Sequence, residues 1–376
     1  IIVGGTNGKG STVAFLEAML AAAGHRVGSY TSPHLTAYNE RVRVAGTDAD
    51  DASLCAAFAR IEAARGDVPL TYFEFGTLAA LDLFARAGVD VGVLEVGLGG
   101  RLDATNIVDA DVAVITTIDL DHMDWLGSDR DAIGAEKGGI ARAGRPAIIG
   151  ETQPPAGLLG TLAGIGAGVQ RAGIDFHADA DGGGDWCWRH ADGTRLVLPA
   201  PGLHGPCQHA NAAAAIAALH ALDRALPCPP AALAEGVRAA HVRGRLQVLA
   251  QSPQRVVDVA HNPQAARVLA QWLDAHPCRG RTHAVYGALA DKDVAGVLEA
   301  VGRRVAHWHL AGLDTVSGRG LSAPALAGIL ARALPGAMHD AHADVAAAWQ
   351  AARANATADD RIVAFGSFFV AAAVLA

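Results

Sequence analysis

The stretch VGGTNGKGST, residues 3–12, follows a short β-rich run and opens a run of helix-forming residues. Its glycines let the backbone curl so that N–H groups point at phosphate oxygens, and the following helix N-terminus adds positive potential. Lys9 is placed to reach the β- and γ-phosphates, and Gly10 separates it from the hydroxyl of Ser11, unlike the common G-x-x-x-x-G-K-[ST] loop. A structural glycine turn is the alternative, but it rarely combines strand, lysine, hydroxyls and helix in this order. The stretch predicts a triphosphate site formed by Thr6, Asn7, Gly8, Lys9, Gly10, Ser11 and Thr12.

Length and composition narrow the class of protein. The chain has 376 residues, of which 51% are hydrophobic and 18% charged, which predicts two or three domains with real cores. A net charge of −8 with interspersed signs argues against a broad nucleic-acid surface. Five scattered cysteines without metal-finger spacing fit a reducing cytosol, and no apolar run reaches the roughly 18 residues of a membrane span. We therefore expect a cytoplasmic protein without nucleic-acid or membrane partners.

The order of predicted elements indicates two α/β domains. In the first half, helical stretches separate most of the β-rich runs, which predicts a mostly parallel sheet covered on both faces. A small hairpin is expected over residues 186–198, with its turn at Asp192-Gly193. A second α/β series starts near Arg255, so we predict a P-loop NTPase-like domain over residues 1–242 and a Rossmann-like domain over residues 243–376. The predicted strands are residues 1–5, 26–31, 89–96, 112–118, 146–150, 256–260, 282–286, 306–310 and 362–365.

Further motifs follow the phosphate loop in a fixed order. They are YTSPHL (30–35), TYFEFGT (71–77), LEVGLGGRLDATN (94–106), LDH (120–122), EK (136–137), GRLQ (244–247) and DVAHNP (258–263). Together with the variant loop GTNGKGS, the series resembles the folylpolyglutamate synthase family of the Mur-ligase superfamily, in particular its bacterial bifunctional members that are also dihydrofolate synthases. The resemblance is collinear and covers nearly the whole chain.

The resemblance implies an activity, its substrates and its cofactors. The expected reaction is ATP-dependent ligation of L-glutamate to dihydropteroate, and to tetrahydrofolate or folylpolyglutamate, through an acyl phosphate. The first domain is expected to bind ATP, and the second to be the glutamate-ligase domain. One or two Mg²⁺ ions and ATP as co-substrate are implied, and monomer is the default expectation from the family.

Metal ligands are expected near the ends of the first-domain strands. Glu95 ends a predicted strand, where open α/β sheets place ligands, and a carboxylate suits Mg²⁺. The resemblance assigns Mg²⁺ to Ser32, Glu95 and His122, and a second ion to Lys137, which the family carbamylates. From the residues alone, Glu95 could be a plain strand-end acid, His122 a hydrogen-bonded histidine and Lys137 an unmodified cation that neutralises phosphate.

Four residues are expected to serve the nucleotide beyond the loop. Asn211, Arg245 and Asp258 match family positions that contact ATP, and His261 is placed to position ATP or the acyl phosphate. Physically, a guanidinium offers a planar fork for phosphate, and a strand-end carboxylate can accept ribose hydroxyls. A surface salt bridge is the alternative for Arg245. Lys9, Lys137 and His261 are the predicted catalytic residues.

The pterin side is predicted from an aromatic and acidic set. An aromatic ring can stack on a pterin, and a carboxylate can accept its N–H groups. The alternatives are a core position for Phe73 and a helix first-turn acid for Glu74. The candidates are Thr71, Tyr72, Phe73, Glu74 and Asp103.

One departure and three rival functions remain open at the sequence level. The chain begins at Ile1 without a methionine, so we expect upstream sequence, and the helical segment with which the bifunctional family helps bind dihydropteroate is not in this sequence. If the natural protein lacks it as well, a monofunctional folylpolyglutamate synthase becomes the alternative. A peptidoglycan Mur ligase would lack the signature of Glu95–Asn106. A non-catalytic nucleotide-binding relative would be expected to have lost some of Lys9, Glu95, Lys137 and Arg245.

Overall fold

The computed structural model describes residues 1–180 and 184–376, which form two compact units. The first unit comprises Ile1–Leu203 and Cys207–Val242. The second comprises Arg243–Ala376 together with the short segment His204–Pro206. Within the described residues, no helix is both long and apolar enough to cross a membrane.

An eight-stranded sheet forms the centre of the first unit, in the order β4-β3-β2-β5-β1-β6-β7-β8. Six of its strands run parallel, and the two edge strands β3 and β4 are antiparallel additions. The carboxyl ends of the parallel strands therefore meet at one edge, where the phosphate loop follows β1. The strands are β1 Ile2–Gly4, β2 Val27–Tyr30, β3 Val42–Val44, β4 Thr47–Asp48, β5 Val91–Glu95, β6 Ala113–Ile115, β7 Pro146–Ile149 and β8 Gly168–Arg171.

Helices cover both faces of this sheet, as the buried strands predict. Successive residues of a strand point to opposite faces, so Ile2 lies in one core cluster and Val3 in the other. Helices α1 and α7 pack on the Val3 side, and α3, α5 and α6 pack on the Ile2 side. The helices are α1 Lys9–Ala22, α2 Asp51–Arg65, α3 Tyr72–Ala87, α4 Met123–Leu126, α5 Arg130–Gly138, α6 Ala156–Ile165, α7 Gln208–Ala221 and α8 Pro230–Ala239, with short 3₁₀ turns at Tyr38–Arg41 and Ala104–Ile107.

The predicted hairpin is confirmed and belongs to a three-stranded antiparallel sheet, β9 Phe176–Ala180, β10 Trp186–His190 and β11 Arg195–Leu198. Its turn contains Gly193 at φ 96°, which glycine adopts without steric strain. Trp188 is fully buried and donates its indole N–H to the carbonyl of Ala213 in α7, 3.2 Å away. This contact attaches the small sheet to the main core.

The second unit holds a six-stranded sheet, in the order β12-β13-β17-β14-β15-β16. All neighbours are parallel except the edge pair β12 and β13, which is antiparallel. The strands are β12 Gln247–Gln251, β13 Gln254–Val257, β14 Thr282–Tyr286, β15 His307–Ala311, β16 His339–His342 and β17 Arg361–Phe365. The helices are α9 Pro263–Ala275, α10 Val294–Val301, α11 Ala323–Ala333, α12 Val345–Asn355 and α13 Phe368–Leu375, with a 3₁₀ turn at Gly302–Arg304.

The α/β class and the parallel sheets are confirmed, and the differences lie at strand ends and sheet edges. The strand expected over residues 256–260 is β13, which ends at Val257. The next three residues form a turn because the Asp258 carboxylate accepts the N–H of Ala260 at 2.7 Å. The strands β3, β4, β8, β9, β12 and β16 were not predicted, because they are short, most lie at or near a sheet edge, and none shows a long buried apolar run.

Candidate functional site

The phosphate loop between β1 and α1 is fastened to the chain that follows β6. Thr6 donates its N–H to the carbonyl of Thr117 at 2.7 Å, and Asn7 donates its N–H to the Thr117 hydroxyl at 3.1 Å. The hydroxyl of Thr116 donates to the carbonyl of Asn7 at 2.6 Å. Because three bonds join two adjacent strand ends, the loop is held in a preorganised shape.

Two glycines of the loop are required by space as well as by backbone conformation. Gly5 has φ 140°, and a Cβ there would lie 1.9 Å from the hydroxyl oxygen of Thr116. Gly8 has φ 88°, and a Cβ there would lie 2.6 Å from the side-chain oxygen of Asn211. The predicted nucleotide residue Asn211, on α7, therefore packs directly against the loop, where Gln208 accepts a hydrogen bond from its amide at 3.0 Å.

Two lysines from distant parts of the chain converge on the loop. Lys9 donates to the carbonyls of Gly5 and Thr6 at 3.0 and 3.2 Å, and Lys137 of α5 donates to the same Gly5 carbonyl at 3.0 Å. Lys137 is 5% exposed. Burial, followed by repulsion from Lys9, lowers the pKa of Lys137 to about 7. The structure thus brings both predicted catalytic lysines of this unit to one point.

The first turn of α1 carries the two hydroxyl residues of the loop. Ser11 and Thr12 are both buried, and the Thr12 N–H donates to the carbonyl of Gly8 at 2.9 Å. Among the described residues, the Thr12 hydroxyl is a buried polar atom without a hydrogen-bond partner. A ligand oxygen or an ion at the loop would satisfy it.

Glu95 and Ser32 lie together at the ends of neighbouring strands. Glu95 is the last residue of β5, is 6% exposed, and accepts the N–H of Ser32 through Oε2 at 3.2 Å. β5 pairs with β1 on one side and β2 on the other, so Glu95 stands beside the start of the phosphate loop. A buried carboxylate at a strand end, bonded to the backbone of a serine, fits Mg²⁺, which prefers oxygen ligands.

His122 follows Asp121 in a left-handed turn, with φ 52°. Its N–H donates to the Asp121 carboxylate at 2.9 Å, and its carbonyl accepts the N–H of Trp125 at 2.9 Å. A non-glycine residue with this backbone conformation is uncommon and is held by such bonds. The turn thus fixes His122 after the β6 strand, beyond Asp119, which bonds Thr6 of the loop.

Two predicted pterin residues form the start of α3. Thr71 caps the helix by accepting the N–H of Glu74, at 3.3 Å, and the Glu74 carboxylate accepts the N–H of Thr71 at 2.7 Å. This is a reciprocal capping box, which lowers the pKa of Glu74 through the bond from the Thr71 N–H. Tyr72, next in sequence, is 63% exposed.

The other two pterin candidates contact the loop after β5. Phe73 lies 5.7 Å from the Tyr30 ring between centroids, and its ring fills the space where Gly97 would carry a Cβ. The Asp103 carboxylate accepts the N–H groups of Gly97 and Leu98 at 3.1 and 2.9 Å. The structure therefore gives Asp103 a loop-holding role that its position in the motif did not reveal.

In the second unit, the turn after β13 gathers the remaining predicted residues. Asp258 accepts the N–H of Leu246 at 2.8 Å and that of Ala260 at 2.7 Å. Burial raises the pKa of Asp258, and the nearby Arg245 guanidinium partly offsets this. Leu246 has φ 43°, so the carboxylate holds a strained backbone in place.

Arg245 and His261 share an aromatic neighbour. The Arg245 guanidinium carbon lies 5.4 Å from the centre of the Phe368 ring, and the His261 ring lies 6.1 Å from it. His261 Nδ1 donates to the carbonyl of Val259 at 2.9 Å, which leaves Nε2 as the basic nitrogen of the neutral ring. The Arg245 guanidinium, with its planar set of N–H donors at a strand end, is suited to binding an anionic group.

Sequence reasoning missed two sets of residues at the first-unit site. Thr116 and Thr117 tether the phosphate loop, and two consecutive hydroxyl residues at the end of a buried strand could have indicated this.

Arg41 is the second residue set that was missed: it is 8% exposed, donates to His34 at 2.8 Å, and lies 5.3 Å from the centre of the Tyr72 ring. Its sequence context, in a 3₁₀ turn, gave no such signal.

Comparison with known families identifies the class of protein to which the two units belong. The Mur ligase middle-domain family matches residues 3–219, and the glutamate ligase domain family of the Mur ligases matches residues 244–368. The class defined by fold and loop is thus that of the Mur-type ATP-dependent ligases.

Individual relatives narrow the class. The dihydrofolate synthase/folylpolyglutamate synthase of Escherichia coli (strain K12) is 48% identical over 373 residues, covering 99% of this chain and 85% of that protein. The structure of E. coli FolC in complex with DHPP and ADP aligns with a TM-score of 0.93 at 46% identity, covering 100% of this chain and 87% of that one. A bifunctional enzyme with Mn, AMPPNP and L-glutamate bound aligns with a TM-score of 0.91 at 46% identity, covering 100% and 88%. The chain belongs to the dihydrofolate synthase/folylpolyglutamate synthase family of the Mur ligases.

Proposed function

We propose that this chain uses ATP to join L-glutamate to dihydropteroate, giving dihydrofolate, and to tetrahydrofolate or folylpolyglutamate. The observation that carries the proposal is the convergence of Lys9 and Lys137 on the Gly5 carbonyl, at the strand ends where Glu95 also lies. Similar proteins have been solved with ADP and DHPP, and with Mn, AMPPNP and L-glutamate.

The chemistry requires activation of a carboxylate. A carboxylate oxygen attacks the γ-phosphorus of ATP, the bond to ADP breaks, and an acyl phosphate results. The glutamate amine then attacks the acyl carbon, loses a proton, and expels inorganic phosphate as the amide forms. Lys9 and the loop amides stabilise the charge on the transferred phosphoryl group. Residues 6–12 are the proposed phosphate contacts.

Ser32, Glu95 and His122 would hold Mg²⁺ in the first unit. The ion would neutralise phosphate charge. Glu95 and Ser32 offer oxygen atoms to it, while the imidazole of His122 is assigned by family position.

Lys137 is proposed to be carbamylated. Its buried amine lies 3.0 Å from the Gly5 carbonyl, which also accepts a hydrogen bond from Lys9. Two ammonium groups at this distance from one oxygen repel each other. Addition of CO₂ to the neutral amine converts it into an anion, with loss of one proton, and gives a ligand for a second Mg²⁺. Carbon NMR after growth with labelled bicarbonate would show a carbamate signal that is absent from Lys137→Arg.

The domain assignment follows from these roles. Residues 1–242 are proposed to bind ATP and metal, with Asn211 against the loop, and residues 243–376 to be the glutamate-ligase domain. In the latter, Arg245 is proposed to contact phosphate, Asp258 to accept ribose hydroxyls, and His261 to position the acyl phosphate.

The pterin is proposed to bind near the start of α3 and the loop after β5. Phe73 offers a ring for stacking. Thr71, Tyr72, Glu74 and Asp103 would line this region, with Glu74 and Asp103 acting chiefly by shaping it, because their carboxylates already accept backbone N–H groups. The protein is proposed to act as a cytoplasmic monomer on small molecules alone, without a nucleic-acid or membrane partner.

The test is phosphate release from ATP with Mg²⁺ and L-glutamate on the natural full-length protein, comparing dihydropteroate with tetrahydrofolate. We expect glutamate-dependent turnover with both acceptors. Turnover with tetrahydrofolate alone would leave a monofunctional folylpolyglutamate synthase. ATP binding without turnover on either acceptor would contradict the proposal.

A further inference from the structure

Four histidines and one aspartate occupy a single face of the second-unit sheet. In parallel strands, residues in register share a face, and His283 is in register with His307 while His309 is in register with Asp340. The alternation of side chains along a strand adds His342 two residues after Asp340. The His307 and His309 rings stack with centroids 4.6 Å apart, and those of His309 and His342 lie 5.6 Å apart.

Buried ring nitrogens in this group lack partners. His309 is 0% exposed, and its Nδ1 has no hydrogen-bond partner among the described residues. The same holds for the buried Nε2 of His342. An unsatisfied buried polar atom is uncommon and calls for an explanation, such as a bound ion.

The neighbouring residues orient His309 in the manner of a metal ligand. His309 Nε2 lies 3.4 Å from Nδ1 of His283, whose Nε2 in turn lies 3.8 Å from the Asp360 carboxylate. If Nε2 of His309 carries the proton, its Nδ1 presents a lone pair. Metal-binding histidines almost always donate their second ring N–H to a carboxylate, a backbone carbonyl or water, and here Nδ1 of His283 takes that place.

The geometry of three groups permits a shared ion. Ligand atoms of His309, Asp340 and His342 lie within 4.8 Å of one another. A tetrahedral ion with bonds of about 2.0–2.2 Å holds its ligand atoms roughly 3.4 Å apart. The side chain of Asp340 is exposed, so a small rotation of its carboxylate can bring the ligand atoms from the observed separation to the one that the ion requires. Its carboxylate is also held by His307 Nε2 at 2.9 Å.

We propose that His309, Asp340 and His342 form a site for one divalent transition-metal ion of the zinc class, with His307 and His283 as positioning residues. Imidazole nitrogens favour zinc, nickel, copper or cobalt over magnesium, so this site differs in kind from the proposed Mg²⁺ site. The ion would join β15 to the edge strand β16. Its role is structural, because the ligands belong to the strands themselves rather than to the turn after β13.

The first unit contains a second cluster of two histidines and one aspartate. His190 and His220 contact the two oxygens of Asp192 at 3.0 and 2.7 Å. The Nε2 of His190 is also buried without a hydrogen-bond partner among the described residues, so this cluster is the competing candidate and serves as an internal comparison.

The experiment is zinc binding to the full chain after removal of metal by a chelator. Equilibrium dialysis with Zn²⁺, and absorption spectra with Co²⁺ as a coloured substitute, would be measured for wild type, His309→Gln, His342→Gln, His339→Gln and His220→Gln. His339 is the matched control, because it is an exposed histidine of the same strand that points to the opposite face.

We expect one zinc ion per chain, an affinity at least about a hundredfold lower in His309→Gln and His342→Gln, and no change in His339→Gln. Zinc should also raise the Tm of wild type but not of His342→Gln. His342 is only partly buried, so that variant tests the site even if His309→Gln fails to fold. Equal zinc affinity in wild type and His342→Gln would overturn the proposal, as would binding that is lost only in His220→Gln.

Discussion

Helix α1 of the first unit and helix α9 of the second both begin shortly after a parallel strand, but their first turns are built in opposite ways. α1 follows Gly8, which has no side chain to cap it and stands in a left-handed conformation. α9 follows Asn262, whose side chain accepts the N–H of Ala265 at 2.9 Å, and its first residue is Pro263, which has no N–H. The start of α1 is suited to binding an anion. The start of α9 is instead capped by the Asn262 side chain, and Pro263 has no N–H to offer.

The difference indicates how the two units divide the work. Around the first helix, two lysines and a glycine-rich backbone present positive charge, as phosphate requires. Around the second, Asp258 and His261 lie beside the Arg245 guanidinium, a mixed acidic and basic set that suits ribose hydroxyls as well as phosphate. The same strand-to-helix geometry thus supports two chemistries, depending on what precedes the helix. The following substitutions test this division.

The largest effect is expected for Lys9→Met. Loss of the ammonium at the phosphate loop removes charge stabilisation that acts in the transition state, and removal of one such donor lowers kcat by about a hundredfold to a thousandfold. Glutamate-dependent phosphate release measures it. Arg224→Met is the control, since it removes one positive charge from an exposed position of the same unit. A similar loss in both variants would mean that general charge, rather than the loop, is responsible.

Gly8→Ala is expected to have the next largest effect, a loss of ATP affinity. The left-handed conformation disfavours alanine by about 1–2 kcal/mol, and its Cβ would meet the Asn211 side chain at 2.6 Å. We expect ATP affinity, measured by calorimetry, to fall about tenfold to a hundredfold, because 1.4 kcal/mol corresponds to tenfold. Gly24→Ala is a matched control, since Gly24 has φ 89° with nothing within 4 Å of its added Cβ. Equal losses of ATP affinity would assign the effect to backbone strain alone.

The fold was more predictable than the contacts of the site. Long glycine-rich motifs and buried strands such as β14, expected at residues 282–286 and found there, follow from local pattern. The tethering of the loop by Thr116 could not be predicted, because it joins residues 109 positions apart in sequence. The meeting of Lys137 with Gly5, separated by 132 positions, depends equally on tertiary packing.

The pterin candidates show a different limit of sequence reasoning. Thr71 and Glu74 have the T-x-x-E spacing of a capping box, and the structure places them in one. A residue in such a box can bind a ligand as well, so the pattern alone does not decide its role. Asp103 is similar, because its carboxylate accepts N–H groups of a loop six residues upstream.

Asp258→Asn is expected to have an intermediate effect, in the second unit only. An amide has one acceptor oxygen and cannot accept the N–H groups of both Leu246 and Ala260 in the way that the carboxylate does. Losing a hydrogen bond to a charged group costs about 1.5–3 kcal/mol, so we expect the KM for ATP to rise about tenfold with a smaller change in kcat. Asp274→Asn, at an exposed ion pair on α9, is the control. An unchanged KM would remove Asp258 from the nucleotide site.

The smallest effect is expected for Asn262→Ala, which removes the side-chain cap from the start of α9. Loss of the cap to Ala265 should lower the free energy of unfolding by about 1 kcal/mol, and Asn262→Asp should retain most of it, since either side chain can accept that N–H. Thermal unfolding measures both variants, and Ser322→Ala, at the cap of α11, gives the scale for an ordinary cap in the same unit.

The KM for ATP of these Asn262 variants then decides what the capped start of α9 contributes. A cap that only supports the fold lowers the Tm of Asn262→Ala and leaves the KM of the surviving folded protein unchanged. A KM that rises in both Asn262→Ala and Asn262→Asp, while stability falls only in the former, would show that the amide itself contacts the nucleotide. In that case the starts of α1 and α9 would both bind ligand, and the distinction between an uncapped start that binds phosphate and a capped start that only supports the fold would be wrong.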